Sequence, residues 1–111
     1  MHAPHTPLDI RQMRETAGTV AALLRALANP DRLLLLCQLT QGERSVGTLE
    51  AELDIRQPTL SQQLGVLRTE GLVITRREGK RIHYAIADAK VLALLSTLYQ
   101  LYCTPDPAGP A

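Results

Sequence analysis

Two cysteines, Cys37 and Cys103, are the residues of this 111-residue chain best suited to covalent chemistry. Two thiols that meet in a fold can react with an oxidant or a sulfur donor and become linked, provided that one of them forms a thiolate. Two cysteines are too few for a disulfide scaffold, and no CxxC pair indicates a zinc site. The alternative is a pair of ordinary buried side chains, because free cysteine is among the most buried residue types.

A second set of chemically suitable side chains lies on one face of a predicted helix. Leu60, Leu64 and Leu67 recur at i, i+4 and i+7 and must face the core. The opposite face is small and hydrogen-bonding, as suits the reading of base edges in a major groove, where glutamine can pair with adenine. Considered without its neighbours, this helix is explained equally well as a structural helix whose polar face is simply solvated. We predict that the base-reading side chains are Gln57, Thr59, Ser61 and Gln62.

Basic side chains flank this helix, although the chain as a whole is nearly neutral. The formal net charge is +1, but residues 56–84 hold six basic and two acidic side chains. A basic hairpin after a helix-turn-helix is typical of a domain that grips the DNA backbone, whereas a basic hairpin alone would indicate only a solvated turn. The predicted phosphate contacts are Arg56, Gln63, Arg68, Arg76, Arg77, Lys80 and Arg81.

Five helices and a hairpin must position these groups. Helices are predicted over residues 10–28, 30–40, 45–53, 58–70 and 88–102, with the second apolar nearly all round and therefore buried. Their N-terminal signals are Asn29 before Pro30, Ser45, Pro58 in a first turn, and Asp88. Alternation of apolar residues then predicts two strands, with inward side chains at Leu72, Ile74, Ile82, Tyr84 and Ile86.

This order predicts a mainly α winged helix-turn-helix with a small β-hairpin, α-α-α-α-β-β-α, spanning residues 9–103. Proline-rich residues 1–8 and 104–111 are expected to be flexible tails. The first and last helices are more apolar than one small core needs, and such surfaces mark partners. We therefore expect a homodimer through these helices, with two reading helices about one DNA turn apart on a near-palindromic double-stranded operator.

Composition excludes several other classes of protein. Three tyrosines, with no Phe or Trp, disfavour modules that stack single-stranded bases on aromatic side chains. No apolar run reaches the length of a membrane span and no signal peptide is recognisable, so a cytoplasmic location is expected. Neither cysteine has a neighbouring histidine and no phosphate loop is present, so we predict no enzyme and no cofactor.

Several segments resemble the ArsR/SmtB repressors, and the resemblance covers roughly residues 15–103. LANPDRL (27–33) resembles the start of that family's second helix, and RQPTLSQQL (56–64), LR (67–68) and EGLV (70–73) resemble its recognition helix. RREGKR (76–81) with Tyr84 resembles its wing. Two positions depart from the family pattern, because family members commonly carry Ser at the position of Arg56 and His at the position of Gln63. The resemblance implies operator binding by a dimer.

The family's metal sites have no matching ligands here. Where some members carry Cys-x-Cys, this chain reads Ser45-Val46-Gly47, and residues 88–102 keep Asp88 but hold no His or Glu. Soft or borderline metals need thiolate or imidazole ligands, so no metal site is predicted, and His2 and His5 in the tail are not expected to be ligands.

The placement of the two cysteines instead resembles that in the family's dithiol branch, whose members respond to persulfides or oxidants. The resemblance implies that linking Cys37 to Cys103 releases the operator, with reactive sulfur or an oxidant as inducer. The sequence leaves three alternatives: a repressor that senses a metal or small ligand at an unrecognised site, a small thiol-dependent enzyme, and a winged-helix protein-interaction module.

Overall fold

The computed structural model describes residues 7–103 and has the predicted winged helix-turn-helix architecture with one additional strand. The predicted tails, apart from residues 7 and 8, and the two histidines predicted not to be ligands lie outside the described residues. Two helices precede a short strand, two more helices follow it, and a hairpin leads to the last helix. The elements are α1 (Ile10–Leu27), α2 (Pro30–Leu39), β1 (Arg44–Ser45), α3 (Val46–Leu53), α4 (Thr59–Thr69), β2 (Val73–Glu78), β3 (Arg81–Ile86) and α5 (Ala89–Tyr102).

Side-chain caps begin most of the helices where the sequence predicts them. The Asn29 side chain accepts a hydrogen bond from the Arg32 amide at 3.0 Å, and Ser45 Oγ accepts one from the Thr48 amide at 3.2 Å. Asp88 likewise caps α5, with 2.8 Å to the Lys90 amide. Each cap satisfies an N–H group that has no partner within its helix.

A leucine-rich core joins α2, α3, α4 and α5. Its fully buried side chains are Leu35, Leu36, Leu49, Leu60, Leu64, Leu67 and Leu95. The prediction that α2 is buried all round is wrong, because Leu34 is 48% exposed and Cys37 is only half-buried. The elements that pack on α2 leave one side of this ten-residue helix open to solvent.

The hairpin belongs to a three-stranded antiparallel sheet of order β1-β3-β2. Val73 pairs with Ile86 and Ile74 with Ala85, so Val73 faces the core while Ile74 is 58% exposed. The predicted inward position of Ile74 is therefore wrong. Leu72 precedes the strand and ends α4 instead, with its amide bonded to the Leu67 carbonyl at 2.9 Å. This contact is the second hydrogen bond of a Schellman-type helix end, and Gly71 supplies the positive φ of 76° that such an end requires.

The outer helices expose large apolar side chains along much of their length. On α1 these are Ile10, Met13, Val20 and Leu24, and on α5 they are Leu92, Tyr99, Leu101 and Tyr102. Surfaces of this kind on both outer helices agree with the predicted excess of apolar residues there. None of the helices in the described part of the chain is long and apolar enough to cross a membrane.

Candidate nucleic-acid interface and thiol pair

Helix α4 presents the predicted reading face to solvent. Ser61 and Gln62 are exposed and Thr59 is half-buried, whereas Leu60, Leu64 and Leu67 on the opposite side are buried in the core. Space is open beside Gly65, since a Cβ at this position would meet nothing within 4 Å. The exposed face of α4 therefore carries small and polar side chains, which allow a helix to approach base edges closely.

The start of α4 differs from the prediction in one respect. The helix begins at Thr59 rather than Pro58, and the Gln57 side-chain oxygen accepts a hydrogen bond from the Ser61 amide at 3.1 Å. Gln57 thus satisfies one of the free N–H groups at the helix N-terminus. Its amide nitrogen makes no hydrogen bond within the described residues and is left for the predicted base contact.

Four of the predicted phosphate-contacting cations are exposed and have no ion-pair partner within residues 7–103: Arg68, Arg77, Lys80 and Arg81. Arg56 is also exposed and lies 3.8 Å from Asp54. Lys80 and Arg81 line a groove of about 480 Å³ together with residues 45–48 at the start of α3. The basic side chains thus flank the reading face on the hairpin side and at both ends of α4.

Arg76 is held by a carboxylate that the sequence reading missed. Its Nε and Nη2 atoms donate to the two Glu43 oxygens at 3.1 and 2.6 Å, which ties the hairpin to the loop before β1. Hydrogen bonding from Arg76, aided by its charge, lowers the pKa of Glu43, and the same contact raises the pKa of Arg76. Arg76 therefore neutralises a protein charge before it meets any phosphate.

Gln63, predicted as a phosphate contact, is half-buried against α2. Its Oε1 atom accepts a hydrogen bond from Arg32 Nη1 at 2.9 Å. Arg32 was not predicted as a site residue, and the sequence signal for it is weak: one basic residue before an apolar run. The Gln63 amide nitrogen is the atom left to meet a phosphate.

The two thiols come from distant parts of the chain, one on α2 and one at the end of α5, two helices that pack on each other. Cys37 lies near the C-terminal end of α2, and Cys103 follows the last residue of α5, where its amide bonds the Tyr99 carbonyl at 2.8 Å. Burial, and then the negative charge of the nearby Cys103, raise the pKa of Cys37. Cys103 itself is exposed. Cys37 is thus the more protected of the two thiols, and Cys103 is the more accessible.

Metal-ligating side chains are not gathered anywhere in the described ranges. Between residues 7 and 103, no group of three His, Cys, Asp or Glu side chains is placed to hold a metal ion.

Comparison with known proteins agrees with the predicted fold and family. Residues 29–75 match the family described as bacterial regulatory protein, arsR family. The biofilm growth-associated repressor of Agrobacterium fabrum is 56% identical over 90% of both chains. The crystal structure of the transcriptional repressor BigR from Xylella fastidiosa superposes with a TM-score of 0.81 at 48% identity, covering 87% of this chain and 99% of that one.

A second group of relatives carries a different name. The transcriptional activator HlyU of Vibrio cholerae is 39% identical over 87% of this chain and 90% of its own length. Its reduced form superposes with a TM-score of 0.81 over 86% of this chain and 100% of that chain. These relatives are transcriptional regulators, in agreement with the prediction that the chain is not an enzyme. By its match to the family over residues 29–75 and its identity to these relatives over most of their length, the chain belongs to the ArsR family of bacterial regulatory proteins.

Proposed function

We propose that this protein is a transcriptional repressor that binds a near-palindromic operator as a homodimer and releases it when Cys37 and Cys103 become linked through sulfur. The exposed apolar faces of α1 and α5 support the dimer, because a second copy would cover them. Repression is supported by the biofilm growth-associated repressors of Agrobacterium and Xylella, which are more similar to this chain than the Vibrio activator is.

One observation carries the thiol switch: helix α2, which carries Cys37, packs on helix α5, which Cys103 directly follows. Two thiols carried by neighbouring helices can be joined directly as a disulfide or through inserted sulfur atoms, which span a longer gap than a disulfide does. The reagent is an organic polysulfide, R–S–Sn–S–R, in which the sulfur atoms are electrophilic.

The exposure of the two sulfurs supports an order of events. The accessible Cys103 thiol loses its proton to water and attacks a terminal S–S bond through its sulfur, forming Cys103–S–Sn–S–R and expelling R–S⁻. Cys37, half-buried and protonated, then loses its proton to water and displaces the second R–S⁻. The product is Cys103–S–Sn–S–Cys37, and two R–SH are released. The dithiol loses two electrons, and the polysulfide gains them.

The link would act on DNA binding through α2. This helix carries Cys37 and packs on α4 as well as on α5, so tying its end to Cys103 alters the position of α4. Allosteric couplings are typically about 1–3 kcal/mol, or about 5- to 150-fold in affinity. A displacement of the two reading helices relative to each other is enough to account for a loss of this size.

A mobility-shift experiment on the protein's own promoter region tests the proposal. The reduced wild type should bind in a salt-dependent manner and release DNA when an organic trisulfide is added. Cys103→Ser should bind equally well and stay bound, and Thr97→Ser, on the same helix away from the thiols, should release like the wild type. Release of Cys103→Ser at the wild-type trisulfide concentration would show that the switch is wrong. Failure of the reduced protein to bind any promoter fragment would remove the repressor proposal itself.

A further inference from the structure

Arg32 joins three helices through a single guanidinium group. It lies in the first turn of α2, and its Nε donates to the Ala26 carbonyl at 2.7 Å while Nη2 donates to the Arg25 carbonyl at 3.3 Å. Both acceptors belong to the last turn of α1. The third contact runs from Nη1 to Gln63 Oε1 on α4 at 2.9 Å.

The first two contacts fix the direction of the third. Carbonyl groups in the last turn of a helix lack partners within the helix, so those of α1 are natural acceptors for a cation. A guanidinium is planar and its donors are held in a rigid fork. Once Nε and Nη2 are bonded to α1, the position of Nη1 is set, and so is the place where Gln63 can meet it.

The leucines of α4 do not provide this directionality. Leu60, Leu64 and Leu67 hold the helix at a fixed depth, but apolar packing is non-directional and tolerates a small rotation about the helix axis. Within residues 7–103, the Arg32–Gln63 contact is the side-chain hydrogen bond that connects α4 to another helix. Gln62, the centre of the predicted reading face, immediately precedes Gln63 on α4.

We propose that Arg32 is a positioning residue that sets the rotation of the reading helix α4 through its hydrogen bond to Gln63, and so contributes to operator specificity without touching DNA. The proposal rests on the proposed function, in that α4 must read bases. It also gives α2, the helix that carries Cys37, a direct hydrogen-bonded connection to α4.

A double-mutant cycle on DNA binding tests this role. The variants are Arg32→Lys, which keeps the charge but cannot reproduce the fork, Gln63→Leu, and the double variant. Each is titrated by fluorescence anisotropy with operator and with a scrambled duplex of equal length. Arg44→Lys is the matched control, since Arg44 is also half-buried but its side chain bonds Glu52 at 3.4 Å and the Glu43 carbonyl at 3.0 Å, neither of which belongs to α4.

The expected result is a loss of discrimination, beyond the uniform loss of affinity that Gln63→Leu causes on both duplexes by removing its amide nitrogen. Each single variant should lower the ratio of operator to scrambled-duplex affinity by about tenfold, and the double variant should lose no more than the worse single variant. Arg44→Lys should leave the ratio unchanged. Arg32→Ala, with urea unfolding measured beside it, is a second probe if the lysine retains a contact.

Four outcomes would overturn this inference or the proposed function on which it rests. Additive losses in the double variant, or equal loss on operator and scrambled DNA, would show that Arg32 does not position α4. A fall in unfolding free energy with an unchanged affinity ratio would make Arg32 purely structural. If the wild type itself does not distinguish operator from scrambled duplex, the proposed function fails, and this failure is seen before any variant is compared.

Discussion

The hairpin cations are expected to contribute unequally to DNA binding, and Glu43 explains why. Arg77 is exposed and free of ion pairs within the described residues, whereas Arg76 donates two hydrogen bonds to Glu43. Each phosphate neutralised by a protein cation changes the slope of log K against log salt by about 0.9. Replacing Arg77 by Gln should therefore lower the slope by about 0.9 per protomer. Over a fourfold rise in salt concentration, the fold-loss of affinity should then be smaller than that of the wild type by a factor of about 3.5 per protomer.

Replacing Arg76 by Gln should change the slope much less, because Glu43 already neutralises the guanidinium. Glu43→Gln should release Arg76 and raise the slope by up to about 0.9 per protomer. The measurement is fluorescence anisotropy with labelled operator between about 50 and about 200 mM NaCl. Lys90→Gln on α5 is the control, since Lys90 lies outside the basic segment 56–84. Equal slope changes for Arg76→Gln and Arg77→Gln would refute this reasoning, and so would a Glu43→Gln slope equal to that of the wild type.

Three further predictions concern stability. Burial raises the pKa of Cys37, so its contribution to stability is complete below the unfolded thiol's pKa of about 8.5 and declines as pH rises through the folded value. Urea unfolding from neutral to alkaline pH should show a steeper decline for the wild type than for Cys37→Ser, and parallel curves would contradict this. Asn29→Ala should cost about 1 kcal/mol of unfolding free energy through loss of the α2 cap, whereas Asn29→Ser should cost little. Gln57→Ala should cost about 0.5–1.5 kcal/mol, with Gln57→Glu retaining the cap; no loss in Gln57→Ala would show that the Ser61 amide does not need its partner.

The sequence predicts the fold well because its local signals agree with one another. Asn29, Ser45 and Asp88 each precede an apolar helical stripe, and all three cap the predicted helices. The leucines at 60, 64 and 67 identify the buried side of α4, and hence the face that can read DNA. Capping and periodicity are local properties, so they can be read without knowledge of the tertiary structure.

The errors arise where non-local packing decides the outcome. Leu72 and Ile74 alternate like strand residues, but Leu72 belongs to the end of α4, and pairing with β3 turns Ile74 outwards. The two-residue strand β1 exists only because β3 offers it an edge, so it carries no pattern of its own. Leu34 is half-exposed because the neighbours of α2 leave one side of the helix open.

In the candidate site, too, the features set by local sequence are predicted correctly and those set by distant contacts are missed. Exposed single residues such as Gln62 and Lys80 are correctly placed from helical phase and turn position alone. The partners of Arg76 and Gln63 are 33 and 31 positions away in the chain, and no local pattern links them. These distant partners determine which of the predicted contacts are free to meet DNA.

The most direct test of the account compares bridging with release in one titration. Reduced protein bound to its operator is treated with increasing organic trisulfide, and each sample is divided between anisotropy and intact-protein mass spectrometry under non-reducing conditions. We predict that the fraction of operator released follows the fraction of protomers in which Cys37 and Cys103 are bridged, and that a reducing agent reverses both. Full bridging with the operator still bound, or release from protomers whose two thiols remain unmodified, would contradict the central claim.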